Sequence, residues 1–112
     1  MTPPTGTVTF LFTDIEASTP MWDNHPIEMD AAVERHHHLL IGAVSDHDGV
    51  VFATGGDGFA AAFADPASAV AAAVSAQRCL AVEDWPPPLR LRVRMGVHTG
   101  MSYERGGDYF GP

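Results

Sequence analysis

Two acidic side chains stand where this chain would place chemistry. Asp14 ends the apolar run Val8-Thr9-Phe10-Leu11-Phe12-Thr13, and Asp57 lies in the turn Thr54-Gly55-Gly56-Asp57-Gly58 between two further apolar stretches. A continuous apolar run suits a strand buried on both faces. Two apolar runs joined by glycines predict a β-hairpin, because glycine takes the left-handed angles that residues with a Cβ resist. Taken alone, Asp57 reads as a turn aspartate bonding to its own backbone. If the hairpin pairs beside the first strand, however, Asp14 and Asp57 converge. Close carboxylates repel unless protonated or bridged by a cation. With hard oxygen ligands that cation is magnesium or manganese.

The elements that must hold these acids follow in order. Residues 1–6 read as a flexible leader and residues 7–112 as one domain. After the first strand, Ser18 and Thr19 can cap a helix, and Pro20 and Pro26 suit first-turn positions, so the helix begins, kinks and restarts after His25. Trp22, Met29, Val33, Leu40 and Val44 recur at helical spacing and predict a core stripe rather than a partner interface. His36, His37 and His38 point in different directions, so they cannot jointly face one metal and are expected to be mostly solvated. Asp65-Pro66 reads as N-cap and first helical residue of another helix, with Val70, Ala73, Val74, Gln77, Leu80 and Ala81 as its apolar stripe. Trp85-Pro86-Pro87-Pro88 breaks that helix. From Leu89 to Gly96 the pattern alternates strictly, predicting a half-buried strand with Arg90, Arg92 and Arg94 on a solvated face. Val97-His98-Thr99-Gly100 closes it, with His98 read as a packed structural residue. Met101 to Asp108 predicts a further strand or hairpin turning at Gly106-Gly107. The order β-α-β-β-α-β with a final partial strand is the ferredoxin-like pattern of an α+β domain.

Composition bounds the function. The 112 residues carry 14 acids against 6 bases, a formal net charge of −8. Direct binding of nucleic acid or anionic membrane through a basic face is therefore not expected. All six bases are arginine. An anionic nucleotide would need a metal and local backbone donors. Hydrophobic content of 46% with 18% charged residues fits a globular chain. The single cysteine, Cys79, forms no internal disulfide; it reads as a small buried residue and fits a reducing cytoplasm. The first residues carry neither the charged region nor the apolar run of a signal peptide or membrane anchor.

Four stretches together carry a resemblance. Phe12-Thr13-Asp14-Ile15-Glu16-Ala17-Ser18-Thr19, Thr54-Gly55-Gly56-Asp57-Gly58-Phe59, Met95-Gly96-Val97-His98-Thr99-Gly100 and Gly107-Asp108-Tyr109-Phe110-Gly111-Pro112 resemble, in order and spacing, the class III nucleotide cyclase (adenylate/guanylate cyclase) catalytic domain. The resemblance implies a ferredoxin-like cyclase fold, incomplete at its C-terminal end, that works as a homodimer or with a cyclase-domain partner. It implies conversion of ATP, or another purine nucleoside triphosphate, to a 3′,5′-cyclic nucleotide and pyrophosphate with two Mg2+ or Mn2+ ions. Asp14 and Asp57 match the metal-bridging acids, and Ile15 the residue giving its backbone carbonyl to a metal. Glu16, Ala17, Ser18 and Thr19 match the turn whose N–H groups hold phosphate oxygens. In such chemistry one ion activates the ribose 3′-hydroxyl against the α-phosphate and the other stabilises the departing pyrophosphate.

The sequence also departs from that pattern. Ala17 stands where the family usually has glycine. Ala53 occupies the position of the base-selecting lysine, while Asp108 matches its acidic partner, so half of the purine-reading pair is present. Losing one donor weakens base selection more than phosphate binding. The Asn that orients the ribose and the Arg that stabilises the transition state follow the Gly-Pro in the family, so this chain contains no catalytic transition-state residue. An arginine clamp of that kind is worth roughly three or more orders of magnitude. The expectation is an adenylate cyclase-like domain with little or no turnover as 112 residues. The alternative is a degenerate cyclase-homology module with a regulatory or dimerising role in a signalling or transcription-regulator protein. Gly55-Gly56-Asp57-Gly58-Phe59 also resembles the diguanylate cyclase turn, but Gly58 replaces that family's acid.

Overall fold

The computed structural model describes residues 3–111. Strand β1 (Gly6–Ile15) is followed by helices α1 (Ser18–Asn24) and α2 (Pro26–Asp46), the hairpin β2 (Val50–Gly55) and β3 (Gly58–Phe63), helix α3 (Pro66–Val82), and strands β4 (Val93–Arg105) and β5 (Asp108–Phe110). The strands form one antiparallel sheet in the order β2-β3-β1-β4-β5. This is the α+β order expected from the sequence.

β1 is central because both its faces are apolar. Leu11 and Ile15 look toward the helices and join the main core with Met29, Leu40, Val44, Phe59 and Phe63. The alternate residues Val8 and Phe10 form a second cluster on the other face with Ala62, Phe52 and Tyr109. Among the described residues that second cluster is built from strands alone, and Phe12 remains 48% exposed there. At α3, Asp65 accepts from the Ala67 N–H at 3.1 Å and Pro66 follows it, a side-chain cap in front of a residue that needs no amide partner. α1 and α2 break at His25, whose N–H reaches the Met21 carbonyl while Pro26 opens the next helix.

Several local expectations change. The stripe on α3 is not the valines: Ala69, Ala72, Ala76 and Leu80 are buried, whereas Val70 and Val74 are about half exposed. Small side chains let α3 approach the sheet closely, and the buried face is set by that approach rather than by the largest residues. Cys79 lies on the exposed side of the same helix. His36 is fully buried, not solvated, while His37 is half-buried and His38 exposed. His98 is exposed rather than packed. Leu89 and Leu91 are buried as their alternation requires, but the ladder starts only at Val93. β4 then runs without a break past Gly96 and Gly100 to the turn at Gly106-Gly107.

Candidate functional site

The register of β1 determines what surrounds Asp14. β3 pairs with β1 from Thr9 opposite Phe63 to Thr13 opposite Phe59. Continuing that register brings the hairpin tip, with Asp57 two residues before Phe59, to the end of β1 that bears Asp14 and Ile15. On the other side β4 pairs with β1 so that Arg94 stands directly opposite Asp14.

Arg94 engages that carboxylate with both arms of its guanidinium. Nε donates to Oδ1 at 2.7 Å and an Nη atom donates to Oδ2 at 2.8 Å. These bonds hold the Asp14 carboxyl below the usual carboxylate range, and the pair raises Arg94 further above its own. The charges of Glu16 and Asp57 act on the same guanidinium in the same direction. One cation therefore sits in the field of three acids. The arginine row read from the sequence as solvated thus contains a specific cross-strand partner. Alternation placed Arg94 on the correct face; only the β1–β4 register, which local sequence does not encode, pairs it with Asp14.

The turn after β1 has an unusual backbone. Ala17 is the N-cap of α1 with φ 55° and ψ 38°, in the left-handed region. Neither Ser18 nor Thr19 supplies a capping side chain, because the chain enters α1 through this left-handed residue instead. The Glu16 N–H is taken up by the Arg92 carbonyl at 2.8 Å.

The open face of the sheet continues from Asp14 into an aromatic cluster that sequence reading missed. Phe10 meets Phe12 at 5.8 Å, Phe52 at 5.8 Å and Tyr109 at 5.2 Å between ring centroids, and Phe52 meets Tyr109 at 4.8 Å. Their period-two spacing in β1 was the available signal. A cavity of about 310 Å3 opens among Phe10, Phe12, Phe52, His98, Tyr109 and Gly111. A second, of about 320 Å3, lies over Phe12, Asp14, Arg94 and Gly96. Phe12 lines both, standing between the cavity at the acidic end of β1 and the cavity of the aromatic cluster.

Ala53 and Asp108 lie on opposite sheet edges, on β2 and at the start of β5, and neither lines the two cavities. The neighbours Phe52 and Tyr109 close the distance between those edges across the open face. Asp108 is exposed and one of its carboxylate oxygens accepts from the Tyr109 N–H at 2.8 Å. The Tyr109 hydroxyl donates to the Pro4 carbonyl at 2.8 Å, and its burial pushes the phenol pKa up.

Among the described residues no three His, Cys, Asp or Glu side chains gather as a ready metal-holding group. The atoms that the resemblance assigns to a metal are the Asp14 and Asp57 carboxylates and the Ile15 carbonyl. As a donor set they are all hard oxygen and fit a divalent ion of the magnesium class. No helix among the described residues is long and apolar enough to cross a membrane.

In sequence and fold the chain is similar to known proteins. The family model of the adenylate and guanylate cyclase catalytic domain matches residues 1–105. An uncharacterized protein of Mycobacterium tuberculosis is 40% identical over 112 residues, covering 98% of this chain and 37% of its own length. The receptor-type adenylate cyclase ESAG 4 of Trypanosoma brucei brucei is 32% identical over 146 residues, covering 93% of this chain and 12% of that protein. A solved adenylate cyclase structure from Trypanosoma brucei, described in its monomeric state, superposes with a TM-score of 0.86 at 30% identity, over 99% of this chain and 66% of that one. The chain thus spans just over a third of its mycobacterial relative and about two thirds of the trypanosomal structure. A match along nearly the whole sequence, together with a shared antiparallel sheet, makes this chain a member of the adenylate and guanylate cyclase catalytic domain family.

Proposed function

We propose that this chain is the metal- and nucleotide-binding portion of a cytoplasmic adenylate cyclase-like domain that acts on ATP or another purine nucleoside triphosphate. The observation that supports it best is the pair of cavities that share Phe12, one over Asp14 and the other over the aromatic cluster. Asp14, Asp57 and the Ile15 carbonyl would hold two Mg2+ or Mn2+ ions. When bound, those ions would supply activation of the 3′-hydroxyl and charge neutralisation at the departing pyrophosphate. The turn of Glu16, Ala17, Ser18 and Thr19 would position phosphate oxygens. The Glu16 amide is already used, so the first-turn amides of α1 would carry most of that role. The aromatic cluster would take the base by stacking, with Asp108 as the polar reader and Ala53 contributing no donor. Stacking is tolerant of base identity, so purine selection would be weak. The working assembly would be a homodimer or a pair with another cyclase domain.

Turnover by these 112 residues would be very low, because the ribose-orienting Asn and transition-state Arg of the resemblance have no counterpart in them. A regulatory or dimerising cyclase-homology module is the second reading. The engagement of both Asp14 carboxylate oxygens by Arg94 favours it.

Titration of Mn2+ with a non-hydrolysable ATP analogue separates the two. Saturable binding that Asp57→Ala abolishes supports the nucleotide site; absence of binding leaves the module. Robust cyclic AMP formation by the 112-residue chain would overturn the assignment of low turnover.

A further inference from the structure

The Asp14–Arg94 pair has a consequence for how an ion would reach this site. We propose that Arg94 is a resident counter-ion that occupies the Asp14 carboxylate and swings aside, across Gly96 and toward Phe12, when a divalent ion binds between residues 14 and 57. The proposal rests on the reading of Asp14 and Asp57 as metal-holding acids.

Three features of the structure carry it. First, the pairing uses both carboxylate oxygens, at 2.7 and 2.8 Å, so an ion bonding directly to Asp14 meets an oxygen that already has a donor. Second, Arg94 is positioned by strand register rather than by chance contact: it faces Asp14 across the β1–β4 ladder, and Glu16 and Asp57 add their fields at the same guanidinium. Without it those three acids would repel one another around one point. Third, Arg94 has somewhere to go. Its side chain is 65% exposed. The next residue on that face of β4 is Gly96, where even a Cβ would meet nothing within 4 Å. Gly96 stands opposite Phe12, whose half-exposed ring offers a face on which a guanidinium can rest. The cavity over Phe12, Asp14, Arg94 and Gly96 is the path of that swing. Arg94 thereby keeps the acidic cluster compensated before an ion arrives, and ion affinity becomes a competition between guanidinium and metal for one carboxylate.

The test is Mn2+ affinity, read by electron paramagnetic resonance of the free ion, for the wild-type chain, Arg94→Gln, Arg92→Gln and Asp57→Ala. Arg92 is exposed and forms no ion pair among the described residues, so its variant removes an equal charge without opening a latch. Arg94→Gln should bind Mn2+ about three- to fivefold more tightly than wild type, the range set by competition with an exposed ion pair. Arg92→Gln should change affinity by less than about twofold, because long-range charge is screened. In the wild-type chain the Arg94 Nε–H resonance should shift on Mg2+ addition. Equal gains in Arg94→Gln and Arg92→Gln, or an unmoved Arg94 resonance with Asp57-dependent binding intact, would overturn the latch alone. Absence of Asp57-dependent binding in both wild type and Arg94→Gln would overturn the site reading and the latch with it.

Discussion

His36 and His37 are joined through their Nδ1 atoms at 2.9 Å, one ring fully buried and the other half-buried under the β2–β3 hairpin. The His37 ring lies edge-on to Phe59, with centroids 6.3 Å apart. The other nitrogen of His36, Nε2, has no hydrogen-bond partner. Burial is the main cause that lowers the His36 pKa to about 4; the neighbouring His37 adds to it, and the Asp57 charge opposes it. The folded chain thus keeps His36 neutral where the unfolded chain, titrating at 6.5, takes up a proton. Stability from this group is complete above pH 6.5 and is lost as the pH falls toward 4. By pH 4.5 that loss is on the order of 2 kcal/mol. Urea unfolding at pH 7 and pH 4.5 should show that slope, and His36→Leu should flatten it. An unchanged slope in the variant would assign the acid sensitivity to other groups.

Ala17 carries a backbone conformation suited to glycine. A Cβ in the left-handed region costs about 1–2 kcal/mol, and the greater freedom of glycine in the unfolded chain offsets part of what removing it gains. Ala17→Gly should therefore stabilise the chain by about 0.5–1 kcal/mol. Ala17→Val should destabilise it, since a β-branched side chain resists positive φ more strongly. Thermal melting of the two variants checks the sign. Loss of stability in Ala17→Gly would mean that the turn is not left-handed in solution.

Gly49 is needed for a different reason, close approach. It follows α2, and its N–H bonds to the Val44 carbonyl at 2.9 Å. A Cβ there would lie 2.7 Å from Phe63 Cζ and 2.7 Å from Val44 Cγ1, both on fully buried side chains. Neither can yield without shifting the core between α2 and β3. Gly49→Ala should cost about 1–3 kcal/mol, as overpacking does, and the denaturation midpoint should fall while the slope stays constant. A midpoint equal to wild type would show that the helix end relaxes freely.

Much of the fold was legible because it is local. The continuous apolar run of β1, the glycine turn of the hairpin and the Asp65-Pro66 cap each act within a few residues, and each element formed where its pattern lay. The facts that were not legible depend on which elements meet. Val70 and Val74 look like a core stripe by hydrophobicity alone, yet alanines take the buried face because closeness of packing decides it. The burial of His36 and the exposure of His98 depend on what lies above each. For the site, Asp14 and Asp57 could be singled out from residue type and setting. The hold of Arg94 on Asp14 joins residues 80 positions apart, and only the sheet register reveals it.

That hold separates stability from binding at Asp14. Its ion pair with Arg94 is exposed, with side chains 45% and 65% accessible. Pairs of this kind add little to folding, because water screens them and two side chains must be ordered to make them. Asp14→Asn should therefore leave the urea midpoint close to wild type. If Asp14 is a metal-holding acid, the same substitution should abolish Mn2+ binding, because a neutral amide oxygen is a poorer ligand and an uncompensated Arg94 then repels the ion. A folded variant that no longer binds Mn2+ fits a site in which Asp14 serves the ligand rather than the fold. Unfolding of Asp14→Asn would reverse that conclusion and make the pair with Arg94 a structural link between β1 and β4.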